Sequence, residues 1–146
     1  MSTQQIATRL AELCRQGQFE AAQKELFADD AVSIEQHESP QFPKETKGLR
    51  NIIEKGHKWN QNVEQVHSCT VSQPLIAGNA FALTLGLDVT MKGQGRMHME
   101  EVCVYEVNKD GKITSEQFFM KPQALSEHRP NTERCSAGAP INGPPQ

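Results

Sequence analysis

The sequence predicts an α+β fold, and three observations predict it. Apolar residues recur three and four apart through the first part of the chain, two-residue alternation takes over from Glu64, and short turns rich in Gly, Asn and Asp separate the alternating runs. Helices followed by hairpin-linked strands make a long curved, mostly antiparallel sheet that can wrap around its helices.

The first helix opens at Ser2 and Gln5, which form a capping-box pattern, and Ile6, Leu10, Leu13 and Cys14 give it an apolar stripe that Gly17 closes. A short second helix, FEAAQKELF, places Phe19, Ala22, Leu26 and Phe27 on one side. Asp29 and Asp30 are expected to end it by competing for backbone hydrogen bonds, with a strand following from Ala31. Pro40 and Pro43 make the segment between His37 and Glu45 a loop. Thr46 is placed to cap a third helix whose stripe is Leu49, Ile52, Ile53, Gly56 and Trp59. The strands are EQVHSCTVSQ, FALTLGLDVTM, RMHMEEVCVYEV and KITSEQFFMK, joined in part by turns at KGQG and NKDG.

A chain of 146 residues holds one domain, which we place at 1–125. Residues 126–146 contain half of the eight prolines and almost no large apolar side chain, so they read as a flexible tail. The net charge of -3, with basic residues scattered among acids, disfavours nucleic acid as a partner. MSTQQIATRL lacks the pattern of a signal peptide, and no run approaches the roughly 18 apolar residues of a spanning helix. The expectation is a cytoplasmic protein with no membrane contact. Cys14, Cys69, Cys103 and Cys135 stand singly, without metal-ligand spacing, so buried thiols are expected, with no metal and no cofactor.

The stretch LFADDAVSIE, the Gly48 turn into the third helix and the EVNKDGKI hairpin carry a family resemblance over about residues 3 to 121. With this element order the chain resembles the nuclear transport factor 2-like superfamily, especially SnoaL-like proteins and ketosteroid isomerases. The resemblance implies a cone-shaped α+β barrel with three N-terminal helices packed in the sheet. It also implies that Glu35, four positions after Ala31, is the carboxylate that shuttles a proton next to a carbonyl. A base of this kind needs partial desolvation, which a strand end facing a cavity provides. The isomerases' two oxyanion donors, a tyrosine and a protonated aspartate, have no counterpart: Leu10 or a neighbour stands for one and Cys103 for the other.

Alternation then assigns a pocket face. If Cys103 points inward, so do Met97, Met99, Glu101 and Tyr105. Pairing across NKDG sets Glu116 opposite Cys103 and Phe118 opposite Glu101, with Met120 farther along, and pairing across KGQG brings Thr84, Asp88 and Thr90 to the same side. Glu35, Glu101 and Glu116 are the candidate catalytic acids and bases, and Lys55 is their candidate cationic partner. His37 shares the face of Glu35. On this register Phe81, Leu83, Leu85, Leu87, Val89 and Met91 face outward, a patch large enough to require a partner, and the family resemblance implies sheet-to-sheet dimers; the competing explanation is an inverted register in which the row is the inner core. The expectation is a homodimer that binds a small apolar ligand. Proton-transfer chemistry of isomerase or cyclase type leads, a non-catalytic binding module is the alternative, and epoxide hydrolysis lacks its Asp-Arg-Asp set because Arg96 has the wrong parity.

Overall fold

The computed structural model describes residues 1–120, which run α1 (Thr3–Arg15), α2 (Phe19–Leu26), β1 (Phe27–Ile34), β2 (Glu45–Lys47), α3 (Leu49–Gln61), β3 (Val63–Val71), β4 (Leu75–Ala77), β5 (Ala80–Met91), β6 (Gly95–Val107) and β7 (Ile113–Met120). The expected tail at 126–146, and Cys135 in it, lie outside the described residues.

The capping box of α1 is formed: Gln5 N–H donates to Ser2 Oγ at 3.1 Å and Ser2 N–H donates to Gln5 Oε1 at 2.8 Å. Ile6, Ala7, Leu10, Ala11, Leu13 and Cys14 form its buried face. Each large apolar side chain so buried contributes about 1.5–3 kcal/mol before entropy is counted. Arg15 closes the helix onto the sheet, its guanidinium donating to the carbonyls of Val71 and Ser72, each at 3.3 Å.

Seven strands form one sheet in the order β2-β1-β7-β6-β5-β3, with β4 paired to β5. The last strand enters between the first and the meander, pairing parallel with β1 and antiparallel with β6. That insertion sets Ser33 beside Glu116. The three helices cover one face of this curved sheet, and the core lies between them, with Phe81 stacked on Tyr105 at 4.9 Å between ring centroids. The fold is therefore the expected α+β one.

Several elements differ from expectation. Helix α2 stops at Leu26, so Asp29 and Asp30 lie exposed within β1; burial of Phe27 and Ala31 and the pairing of Phe27 with Ile113 outweigh the aspartates' preference for a helix end. Thr46 does not cap α3. It sits in the middle of β2, and Gly48 takes the position before the helix with φ 95°, a conformation that strains any residue with a Cβ.

The largest correction concerns β5. Met91 pairs with Gly95, so the turn between β5 and β6 holds three residues, one fewer than KGQG, and Leu83 pairs with Cys103. One residue reverses every side chain. Phe81, Leu83, Leu85, Leu87, Val89 and Met91 consequently face inward as core, and Thr84, Asp88 and Thr90 face outward. The apolar row expected to need a partner subunit is covered by the protein's own helices. Pairing across NKDG is offset by two residues, with Glu116 opposite Tyr105 and Phe118 opposite Cys103, and an even offset keeps the expected faces of β6 and β7. No helix among the described residues is long and apolar enough to cross a membrane.

Candidate functional site

The inner face of β1 carries Ala31 and Ser33, both fully buried, and the chain keeps that parity one residue past the strand so that Glu35 also points inward. Glu35 N–H donates to Lys44 O at 2.7 Å, which holds the strand end in place. Helix α3 lies across this end, and Lys55 reaches inward from it.

These residues meet in one chain of contacts. Lys55 Nζ donates to Glu35 Oε2 at 2.9 Å and to Ser33 Oγ at 2.8 Å, and Ser33 Oγ donates to Glu116 Oε2 at 2.7 Å. Lys55 also stands 5.7 Å from the centroid of the Phe118 ring, within range of a cation–π attraction. The side chains of Lys55 and Glu35 keep only 15% and 29% of their exposure, so this ion pair is far less screened than a surface one.

The group borders an open-mouthed cavity of about 420 Å³ lined by all three helices, the inner face of the sheet and the loop after β1. Its apolar walls include Phe19, Ile53, Trp59, Leu85, Leu87 and Phe118. Gly56 lies in the α3 wall, where an added Cβ would meet nothing within 4 Å, so its small size widens the cavity; no close helix contact requires it.

Two carboxyls at this cavity titrate far from their ordinary range. Glu101 is pushed up from 4.5 to about 7, chiefly by burial and then by the negative charges of Glu35 and Glu116, against the pull of Lys55. Glu116 is only 4% exposed and is also pushed up to about 7 by burial, although the Ser33 hydrogen bond and Lys55 both favour its charged form. Among the described residues, neither forms an ion pair within 4.0 Å. Burial holds the Tyr105 phenol and the Cys103 thiol protonated, and lifts the Cys14 thiol to about 12.

Of the residues singled out from the sequence, Glu35, Lys55, Met99, Glu101, Tyr105, Glu116, Phe118 and Met120 border the cavity, as does His37 at its exposed rim. Cys103 shares their face but is fully buried in the core behind the wall, and Met97 shares it farther along β6, outside the cavity lining. Asp88 is a correction: it lies on the outer face, held by Arg96 through two hydrogen bonds of 2.9 and 2.8 Å, which keep its carboxyl below the usual range. The Arg96–Asp88 pair is therefore not part of the cavity. Ser33 was not singled out, although its parity with Glu35 carried the signal. Among the described residues no group of three or more His, Cys, Asp or Glu side chains is arranged to hold a metal ion.

The sequence matches the SnoaL-like domain family over residues 1–120. A Mesorhizobium loti protein described as a SnoaL-like polyketide cyclase is 38% identical and superposes with a TM-score of 0.75, over 82% of this chain and 99% of that one. A Burkholderia thailandensis NTF2-like protein, 15% identical, gives 0.70 over 83% and 92%, and a Bacillus subtilis protein described as an isomerase, 16% identical, gives 0.68 over 87% and 94%. The last two show likeness of fold. No curated protein matches this sequence.

Proposed function

This chain belongs to the SnoaL-like domain family, and on that premise we propose that its cavity binds a small, mostly apolar carbonyl compound and moves a proton at the carbon beside the carbonyl. The reaction is of isomerase or cyclase type. Glu35 is the base, oriented by Lys55, and Glu101 is the acid that hydrogen-bonds the carbonyl oxygen as charge develops there. The observation that supports this reading best is geometric: Glu35, placed by a 2.9 Å contact with Lys55, shares one hollow with the Glu101 carboxyl, which burial pushes up to about 7. An acid poised near the working pH donates its proton effectively, which suits Glu101 to that role.

The test is hydrogen exchange at the α-carbon of bicyclic aryl ketones sized to the cavity, followed by NMR in deuterated buffer. The wild-type protein is expected to accelerate exchange, and Glu35→Gln to reduce that acceleration on the order of 100-fold. Ketone that binds without accelerated exchange would instead establish the second reading, a non-catalytic ligand-binding module. That alternative has its own support, because Glu35 must leave its lysine partner to act as a base.

The protein also pairs with a second copy through the outer face of its sheet. Val102 and Phe119, each 41% exposed, are direct partners across β6 and β7 and form an apolar patch there.

A further inference from the structure

We propose that Ser33 is a positioning residue, the middle link of a proton path that joins Glu35 to Glu116 through Lys55. The inference rests on the proton-transfer reading above and extends it to where the proton goes after Glu35 has taken it. Three contacts of 2.9, 2.8 and 2.7 Å connect Glu35 Oε2, Lys55 Nζ, Ser33 Oγ and Glu116 Oε2 without a gap. Ser33 is fully buried between β1 and its neighbours, so no bulk water competes for its hydroxyl.

The chain has a fixed direction. A protonated lysine has donors only, so Ser33 Oγ must accept from it, and the single hydroxyl hydrogen is left to point at Glu116. When Glu35 carries a proton taken from ligand, that proton passes to Lys55 as Lys55 gives one of its own to Ser33 Oγ and the Ser33 hydrogen moves to Glu116 Oε2. One O–H bond is lost at Glu35 and one is gained at Glu116. Lys55 ends as an ammonium, Ser33 ends as a hydroxyl, and the base is a carboxylate again. Glu116 gives its proton to water in the cavity it borders, and rotation of the Ser33 hydroxyl then resets the path.

Glu116 suits the receiving end. The titratable groups around it are Glu35 just past β1, Lys55 from α3, Glu101, Cys103 and Tyr105 from β6, and Cys14 from α1. Burial keeps both thiols and the phenol protonated and pushes Glu101 and Glu116 up to about 7.

The first measurement needs no ligand. Carboxyl carbons of glutamate are followed by NMR through a pH titration of wild type, Ser33→Ala and Ser33→Thr. Ser33→Ala removes the donor to ionised Glu116 and is expected to raise its midpoint by on the order of one unit, with Ser33→Thr restoring it. An unchanged Glu116 midpoint in Ser33→Ala overturns the link. The second measurement asks whether label leaves the site: an α-deuterated ketone turned over in ordinary water should lose its label in wild type and keep severalfold more of it in Ser33→Ala and Glu116→Gln. Equal label loss in all three overturns the path. If wild type exchanges no ketone at all, the proposed reaction fails, and the titration still decides whether Ser33 couples Lys55 to Glu116.

Discussion

Replacing Glu101 by glutamine should make the protein more stable at pH 8 and leave it nearly unchanged at pH 4.5. The folded carboxyl titrates near 7, and the ordinary value is 4.5. Between these values the native state holds a proton that the unfolded chain has released, so stability falls as pH rises through this window, is greatest below it and levels off above it. A shift of that size corresponds to about 3 kcal/mol at pH 8, and partial contact with the cavity's solvent reduces it toward about 1.5 kcal/mol. Glutamine keeps the shape and carries no charge, so it removes this loss. Urea unfolding of wild type and Glu101→Gln at pH 5 and pH 8 gives the test as a difference of differences, in which the histidines common to both proteins cancel. Equal loss of stability between the two pH values in both proteins would refute the argument that Glu101 ionises against burial. The gain also includes relief of Glu116, because each of these acids bears on the same low-dielectric space, and the double variant will fall short of the sum.

Lys55→Met leaves Glu35 without its counter-ion and should cost about 2 kcal/mol at pH 8; because Lys55 lowers both acids, carboxyl-carbon NMR should show Glu101 and Glu116 titrating above 7. Ser2→Ala removes one half of the capping box and should lower stability by about 1 kcal/mol, read from thermal melts. Phe119→Glu places a charge on the exposed apolar patch and should convert a dimer to a monomer in sedimentation, with an unfolding midpoint that falls and loses its dependence on protein concentration; a wild-type protein that sediments as a monomer at tens of micromolar removes the sheet-to-sheet dimer.

The extent to which this site could be read from sequence depended on which physical signal each residue carried. The period of two in β1 was legible because Ala31, Ser33 and Glu35 alternate against Val32 and Ile34, and the structure turns the first set inward. Faces on β6 and β7 were legible for the same reason, and a pairing offset by two residues left them intact. Asp88 was misplaced because the turn after β5 holds three residues and KGQG could as well have supplied four, a difference that composition does not encode. Thr46 illustrates a different limit. A threonine ahead of a helical stripe reads as a cap, whereas here the pairing of Thr46 with Ser33 draws it into a strand and leaves its buried Oγ1 without a hydrogen-bond partner among the described residues. The Lys55–Glu35 contact was reached by charge balance, because several acids in one hollow call for a cation and Lys55 on α3 was the candidate; its distance and its second contact to Ser33 come only from the tertiary fold.

The charge count of the cavity is a further argument for the proposed proton-transfer chemistry. Lys55 neutralises Glu35, so a second or third ionised carboxylate would stand in an apolar hollow without a cation. An anionic ligand would add to that cost, whereas a neutral carbonyl compound can accept a hydrogen bond from a protonated Glu101. Burial pushes both Glu101 and Glu116 up toward neutrality, which favours their protonated, hydrogen-bond-donating forms. Tyr105 and Cys103 cannot join in proton transfer, because burial holds both well above neutrality; Tyr105 at the cavity wall can offer its hydroxyl hydrogen bond and keep its proton. In the proposed reaction, the role of the oxyanion donors missing from helix α1 and from position 103 falls to Glu101, a carboxyl two residues before Cys103 on the same face of β6.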